Sequence, residues 1–265
     1  MIIKINNRAL LKVNGKDAKV FLQSQFSNNI FQLKPNRIQV NAYCQHQGKI
    51  MALLWVFVRN NNLYLSFPQD LKDLVISKLN MFKLMSNVEI EDFSHDINQY
   101  GLIDEKFDGS FTIKNNLSLF ITKEILDTNG NMQHWEKASI DHLLPEIYQE
   151  TSDQFIPQAL NLDIDEFGVS FTKGCYPGQE VVARMHYLGK PKRRLFHFSS
   201  KYEVSIGDLI NVEDSKSLKS SGIVLRVVKV DEIFHALGIF EIKHINDSAY
   251  LNNDVNKSLT IINVK

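Results

Sequence analysis

The segment FTKGCYPGQEVVARMHYLGK, residues 171–190, contains Cys175, one of two cysteines in a chain of 265 residues. Residues 176–179 read YPGQ, which fits a type II turn with proline second and glycine third, where φ is positive. The residues that follow have a helical pattern, so the turn places Cys175 just before a helix N-terminus. The helix dipole and the nearby Lys173 would each lower the pKa of a thiol there and favour the nucleophilic thiolate.

A helix after this turn would pair Glu180 with Arg184, four residues later, and end at Gly189. The role of Cys175 stays open at this point, because a cysteine without a placed histidine base also fits a small residue in a tight loop. Cys44 lies in an alternating strand pattern and is predicted to be structural. No metal site is expected, because no Cys and His pair has the spacing of zinc ligands.

Charge and composition are typical of a globular protein in a reducing compartment. Thirty basic residues balance thirty acidic ones, and 44% of the residues are hydrophobic. The longest apolar run, IMALLWVFV at residues 50–58, is too short to span a bilayer, and the N-terminus lacks the apolar stretch of a signal peptide. Two cysteines do not make a disulfide framework. We therefore expect a cytoplasmic protein with no membrane contact.

Strand and helix patterns alternate in the first 190 residues. IQVNAYC, IMALLWVFV and LYLSF are joined by short turns and predict an antiparallel meander. Helices are predicted after an N-cap at Asn14, across an apolar stripe from Leu71 to Phe82 and Met85, and over MQHWEKASIDHLL before Pro145. This part of the chain is therefore predicted to be α+β with antiparallel sheets, in two modules.

The pattern changes after GKPKRRL, residues 189–195. Five or six short β runs follow, separated by Gly, Asp, Asn and Ser, with no helical period. Such a segment predicts a small β-barrel. We predict an N-terminal α+β module over residues 1–95, a second α+β module with the cysteine motif over 96–189, and the barrel over 190–265.

The motif KGCYPGQEVVAR resembles the signature of the YgfZ folate-binding proteins, which are relatives of the glycine-cleavage T-protein, an aminomethyltransferase. Lys-Gly-Cys, an aromatic residue, a variable residue and Gly-Gln-Glu match that signature without a gap. FIPQALNLD at residues 155–163, VNGKDAKVFLQSQFSNNI and YCQHQGKI resemble other segments of the family. The resemblance covers the chain from about residue 10 to residue 195.

The resemblance implies a ring of modules like that of the T-protein, with tetrahydrofolate in a central opening to which the N-terminal module contributes. It also implies an accessory protein that acts in assembly or repair of iron–sulfur clusters in client enzymes, including tRNA-modifying ones, and that depends on Cys175. Folate and the client or assembly proteins are the expected partners. Whether the protein turns over a substrate is left open.

Site residues follow from the resemblance position by position. Trp135 matches a folate-site tryptophan, and Asp141 stands where T-protein relatives have a glutamate that contacts the pterin. Arg8 replaces a second tryptophan, although a solvated arginine is the expectation from its residue type. Leu143 replaces a glycine usual in this stretch. The implied site residues are Cys175 and Lys173 for the chemistry, and Trp135, Asp141, Arg8, Asn28, Tyr176, Gln179 and Glu180 for folate binding.

Two other functions are alternatives. An aminomethyl transferase of the T-protein type needs a catalytic aspartate on a strand of its N-terminal half, and WVFVRNNNLYLSF offers none. An RNA-binding module could use the basic residues of GKPKRRL and an OB-like barrel. The balanced charge and the absence of a base-stacking aromatic pattern argue against direct nucleic-acid binding, and favour a solvated hinge at GKPKRRL or a contact with the anionic folate tail.

Overall fold

The computed structural model describes residues 1–84, 86–212 and 220–263. Its helices are α1 (Ala18–Gln25), α2 (Lys72–Phe82), α3 (Met132–Asp141) and α4 (Gln179–Leu188). The strands are β1 (Ile2–Ile5), β2 (Arg8–Asn14), β3 (Gln39–Cys44), β4 (Ile50–Arg59), β5 (Asn62–Pro68), β6 (Glu89–Asp92), β7 (Asn98–Ile103), β8 (Phe111–Lys114), β9 (Leu117–Thr122), β10 (Arg193–Ser200), β11 (Leu209–Val212), β12 (Gly222–Val230), β13 (Ile233–Glu241), β14 (Ala249–Leu251) and β15 (Asp254–Asn263).

The first sheet has five strands in the order β3-β4-β5-β2-β6. Strands β3, β4 and β5 form the predicted antiparallel meander. Strand β4 is buried from Ile50 to Phe57, which explains its continuous apolar sequence, since both faces of the strand are covered. The hairpin between β3 and β4 contacts the cysteine motif at Gly178.

The second sheet has the order β1-β7-β9-β8. Its edge strand β1 comes from the extreme N-terminus, and the register pairs Ile2 with Leu102 and Ile5 with Gln99. The chain then leaves this sheet and enters the first one at Arg8. The module bounds 1–95 and 96–189 stay a prediction, and in the fold both sheets contain residues from the first fourteen.

The C-terminal strands form a closed barrel in the order β10-β13-β12-β11-β14-β15. The predicted small β-barrel is therefore confirmed for the residues that the structure describes. Phe198 and Phe240 pack edge to face in its core, with ring centroids 5.7 Å apart. The register between β12 and β13 shifts between Val224 and Arg226, and the Arg226 side chain is buried against the rest of the molecule.

Two details of the helices differ from the expectation. Asn14 is the last residue of β2 and does not cap α1, which follows Asp17 instead; the Asp17 carboxylate accepts a hydrogen bond from the Asn87 N–H at 2.7 Å. In the apolar stripe of α2 the side chain of Phe82 is 44% exposed. Met85, predicted in the same stripe, lies outside the described residues.

No helix in the described part of the chain is both long and apolar enough to cross a membrane. The barrel contacts the α+β part through two ion pairs, of which that of Arg226 is the more deeply buried. Arg226 forms a forked pair with Glu136 of α3, at 2.6 and 3.1 Å, and donates to the Leu144 carbonyl at 3.0 Å. Arg194 of β10 pairs in the same way with Asp163.

Candidate functional site

The cysteine motif has the local structure that its sequence predicts. Gly178 has φ +83°, as the third residue of a type II turn requires, and α4 begins at the next residue. An ideal Cβ on Gly178 would lie 2.5 Å from the Gln45 carbonyl oxygen and 2.6 Å from the Gly48 Cα. Only glycine fits this contact, so the turn is fixed against the hairpin between β3 and β4.

The two cysteines differ sharply in accessibility. Cys175 is exposed, and an added Cβ at the preceding Gly174 would meet no atom within 4 Å. Cys44 is 1% exposed, and burial raises the pKa of its thiol. A reagent in solution can therefore reach the Cys175 thiol but not the Cys44 thiol, which agrees with a structural role for Cys44.

Lys173 is directed away from the solvent that Cys175 faces. Its ammonium donates hydrogen bonds to the carbonyls of Gln23, at 2.5 Å, of Phe26, and of Asn28, at 3.2 Å. Burial lowers the pKa of Lys173 to about 8. The contact with Gln23 satisfies one of the carbonyls that the C-terminus of α1 leaves unpaired. The geometry thus gives Lys173 a positioning role in the turn after α1.

That turn, residues 26–28, is held from several sides. The Ser27 hydroxyl donates to the Gly168 carbonyl at 2.5 Å and accepts from the Ala42 N–H at 2.8 Å. The Asn28 amide group donates to the Val40 carbonyl at 3.1 Å, and its oxygen accepts from the next N–H at 2.8 Å. Asn28 is 8% exposed and lines a cavity.

This cavity has a volume of about 700 Å³ and lies between the two sheets. Its walls are the loop over residues 32–39, Ile113 of β8 and the segment 165–167. Backbone hydrogen bonds from the Ile38 N–H to Thr112 and from the Thr112 N–H to Asn36, at 2.8 and 2.9 Å, hold the loop on β8. The volume is in the range of small-molecule sites.

Charged groups of both signs face the cavity. Lys34 and Arg37 contribute cations, and Asp165 and Glu166 contribute carboxylates. Among the described residues none of these four groups forms an ion pair. Phe167 adds an aromatic ring, with the Lys114 ammonium 5.1 Å from its centroid. Such a lining suits an elongated ligand with a hydrogen-bond-donating ring and an anionic tail.

Asp165 and Glu166 both have positive φ, at +52° and +51°. Two consecutive non-glycine residues in this region are uncommon and cost about 1–2 kcal/mol each. The side chain of Asp165 also lies near Lys114, whose pKa is lowered by burial and partly restored by that carboxylate. The strained corner therefore points two acidic residues at the cavity region instead of burying them.

Trp135 and Arg8 lie in a different place, inside the core. Trp135 is 1% exposed; its ring fills the space beside Gly101 and packs edge to face on Trp55, with centroids 6.4 Å apart. Arg8 is 6% exposed and stacks on the other indole, 3.6 Å from Cζ to the Trp55 centroid. The expectation that Arg8 is solvated is therefore wrong, and a ligand could reach Trp135 only after core side chains move.

A buried carboxylate explains why Arg8 is inside. Glu146, 1% exposed, forms an ion pair with the Arg8 guanidinium, which also donates to the Ser66 hydroxyl at 2.9 Å and to the Ser66 carbonyl at 2.8 Å. Burial raises the pKa of Glu146, and the charges of Arg8 and Arg226 oppose this shift. An arginine in the interior is tolerated when its donors are paired in this way.

The remaining predicted residues range from exposed to buried. Asp141, at the end of α3, pairs with Lys137 at 2.7 Å and lies 3.9 Å from the buried His197 ring. Glu180 pairs with Arg184 at 2.7 Å on the exposed face of α4, as predicted. Tyr176 is 7% exposed, and burial raises the pKa of its hydroxyl. Gln179, at the start of α4, is half-buried.

The structure brings together one group of the predicted residues. Lys173, Cys175 and Tyr176 lie in one loop, and Lys173 connects this loop to Asn28 and the cavity. The cavity residues Lys34, Arg37, Asp165, Glu166 and Phe167 were not predicted. Their sequence signals are weak, and only the closeness of residues 165–167 to the cysteine motif could have drawn attention to them.

The two arginines at the module boundary differ in exposure. Arg194 pairs with Asp163 at 2.5 Å and its side chain is 21% exposed, so the expected solvated hinge is wrong for this residue. Arg193 pairs with Glu241 at 3.2 Å and its side chain stays 38% exposed. Within the described ranges, no three His, Cys, Asp or Glu side chains are grouped so that they could hold a metal ion.

Comparisons with known proteins place this geometry in context. The chain is 31% identical over 241 residues to an uncharacterized protein of Haemophilus influenzae, covering 87% of this chain and 85% of that protein. It is 27% identical over 260 residues to the tRNA-modifying protein YgfZ of Buchnera aphidicola, covering 84% and 81%, respectively. The YgfZ protein of Aliivibrio fischeri is 26% identical over 260 residues, with coverage of 87% and 81%. No protein-family model matches the sequence.

The fold matches that of a solved structure, the glycine cleavage system aminomethyltransferase T from Bartonella henselae. The TM-score is 0.72, and the match covers 99% of this chain and 84% of the other at 10% sequence identity. The predicted T-protein-like α+β fold with a C-terminal barrel is therefore confirmed. At this identity the likeness concerns the fold alone.

Proposed function

This chain belongs to the YgfZ family, and we propose that it is a folate-binding accessory protein of tRNA modification. We place its action in the assembly or repair of iron–sulfur clusters in client enzymes, including tRNA-modifying ones, with Cys175 as the reacting group. The observation that carries the proposal is the hydrogen bond from Lys173 to the Asn28 carbonyl, because it joins the cysteine loop to a ligand-sized cavity.

The cavity residues fit a tetrahydrofolate. The carboxylates of Asp165 and Glu166 can accept the N–H groups of an aminopyrimidine, and Lys34 and Arg37 can bind the carboxylates of the glutamate tail. Phe167 offers a flat apolar surface for the rings. When bound, the folate would supply one-carbon or redox chemistry, while the residues of the chain bind and orient it.

The loop with Cys175 supports the second half of the proposal. The thiol is exposed and lies between the buried Lys173 and the buried Tyr176, which suits a group that meets another protein. With only one exposed cysteine, this chain by itself cannot provide the four thiolates of a usual cluster. A cluster handled here would therefore share its ligands with a client or an assembly protein.

Transfer chemistry of the T-protein type is less well supported. Strands β4 and β5 and the turn between them, residues 50–68, contain no aspartate or glutamate that could act as its catalytic carboxylate. Direct binding of nucleic acid is likewise not proposed, because Arg193 and Arg194 are each paired with a carboxylate of this chain. The link to tRNA then passes through the modifying enzymes.

The proposal can be tested in cells that lack their own YgfZ protein. We expect the wild-type chain to restore the activity of an iron–sulfur tRNA-modifying enzyme, and Cys175→Ala to fold normally but fail to restore it. Thr172→Ala, a change at an exposed position in the same loop, is the matched control and should restore activity. Full rescue by Cys175→Ala would contradict a reacting role for the thiol.

A further inference from the structure

Lys173 touches three consecutive parts of the segment that ends at the cavity. Its ammonium donates to the Gln23 carbonyl in the last turn of α1, to the Phe26 carbonyl after the helix, and to the Asn28 carbonyl at the cavity wall. The side chain is 7% exposed, so these bonds are shielded from competing water. A movement of residues 26–28 would therefore move Lys173 as well, because these hydrogen bonds join them.

Cys175 lies on a short span between two attachment points. On one side is Lys173, held by the carbonyls; on the other are the buried Tyr176 and then Gly178, held against Gly48. Between them, an added Cβ at Gly174 would meet no atom within 4 Å, so the span itself is not packed. The place of the thiol is thus set by its two attachments, one of which borders the cavity.

We propose that Lys173 is a positioning residue through which ligand binding in the cavity controls the reactivity of the Cys175 thiol. A ligand in contact with Asn28 restricts the turn over residues 26–28. Lys173 passes this restriction to the span that bears the thiol, which is then held in one arrangement. The inference rests on the proposed function, because it requires a folate in this cavity, and it adds that the ligand and the thiol are energetically coupled.

Alkylation of the thiol measures this coupling without a client enzyme. Iodoacetamide reacts with an exposed thiolate and releases iodide, and the buried Cys44 serves as an internal reference that should stay unmodified. The probe ligand is 5-formyltetrahydrofolate, and its binding is measured separately by calorimetry. We expect the saturating ligand to slow alkylation of Cys175 about fivefold in the wild-type protein.

The Lys173→Met variant distinguishes two explanations of slower alkylation: transmission of ligand binding through Lys173, or direct shielding of the thiol by the ligand. It should still bind the ligand in calorimetry, while the effect of the ligand on alkylation should be lost. Lys190→Met removes an exposed lysine beyond α4 and should keep the full effect. Retention of the slowing in Lys173→Met would show that the ligand covers the thiol directly, and would overturn the inference.

Two further outcomes distinguish a failure of the coupling from a failure of the proposed function. If the wild-type protein binds the ligand and alkylation is unchanged, the coupling is absent and the proposed function stands. If no ligand binds, the proposed function fails and the inference fails with it. Should Lys173→Met not fold, amide hydrogen exchange of the wild-type protein decides: the ligand must slow exchange in residues 26–28 and in 173–176 together, and slowing in only the first segment would overturn the coupling.

Discussion

Gly48 and Gly178 meet backbone to backbone, and an ideal Cβ on Gly178 would lie 2.6 Å from the Gly48 Cα. Both residues have positive φ, at +77° and +83°. The contact joins the hairpin of the first sheet to the turn that carries the cysteine motif. At this contact the backbone of the loop is tightly packed, whereas an added Cβ at Gly174 would meet no atom within 4 Å.

Replacing Gly178 by alanine should therefore destabilise the protein by more than the backbone conformation alone explains. A non-glycine residue at positive φ costs about 1–2 kcal/mol. The matched control is Gly109→Ala, because Gly109 has φ +77° and no atom within 4 Å of the added Cβ. Urea unfolding should show a clearly larger loss of unfolding free energy for Gly178→Ala. Equal losses would mean that the hairpin contact yields easily.

Removal of the Arg8 guanidinium should be one of the more damaging single changes in the chain. Arg8→Met leaves the Glu146 carboxylate buried without its partner, which costs about 3–5 kcal/mol. The double variant Arg8→Met/Glu146→Leu should regain much of this loss, since no charge is then stranded. Arg184→Met, which breaks the exposed pair with Glu180, should change the unfolding free energy by less than about 1 kcal/mol. A small effect of Arg8→Met would contradict the buried pair.

Acid should weaken the fold through His197. Burial, with contributions from His235 and Lys137, lowers the pKa of this residue from 6.5 to about 4, although Asp141 acts in the opposite direction. Between pH 6.5 and about pH 4, His197 is therefore protonated in the unfolded chain and neutral in the folded chain. The stabilising contribution is present above pH 6.5 and is lost as the pH falls through about 4.

The predicted loss of stability on acidification is checked by measuring the free energy of unfolding at pH 7 and at pH 4.5. The His197 contribution to the difference is at most about 3 kcal/mol. His197→Gln should lose less stability on acidification than the wild-type protein, while His46→Gln, at an exposed position, should lose the same amount as the wild type. An unchanged loss in His197→Gln would show that another group is responsible.

The cations at the cavity should determine how tightly a folate binds. Lys34→Gln/Arg37→Gln removes two charge-assisted contacts to the glutamate tail, and we expect affinity for 5-formyltetrahydrofolate to fall at least about tenfold, since such bonds contribute about 1.5–3 kcal/mol. Lys106→Gln/Lys123→Gln, at two exposed lysines that do not line this cavity, is the control with the same net charge. Calorimetry at two salt concentrations should also show weaker salt dependence in the double variant. Unchanged affinity would exclude this cavity as the tail site.

Local signals in the sequence predicted much of the fold. The meander, the barrel and the YPGQ turn rest on alternation, turn residues and the positive φ of glycine, and each of these acts within a few residues. The helix predicted over MQHWEKASIDHLL is α3, but it ends at Asp141, well before Pro145, and Leu143 then takes φ +51°. A glycine at position 143 would have indicated a positive φ there, whereas leucine gives no such signal.

The site was harder to predict because its parts are far apart in the chain. The Arg8 partner Glu146 is 138 residues away, so nothing near Arg8 indicates that its charge is buried. The cavity combines residues 28–39, Ile113 and 165–167, none of which has a distinctive pattern. Trp135 shows the opposite difficulty, because its residue type suits a ligand platform while the packing on Gly101 and Trp55 makes it part of the core.

The first strand has a consequence for how the protein is made. Strand β1 is synthesised about a hundred residues before its partner β7, because Ile2 pairs with Leu102. During translation β1 is therefore unpaired until β7 has been made, while β2 can already pair with β5 in the first sheet. A fusion that delays or shields the N-terminus, or a truncation before Ile103, would leave an open sheet edge on the nascent chain.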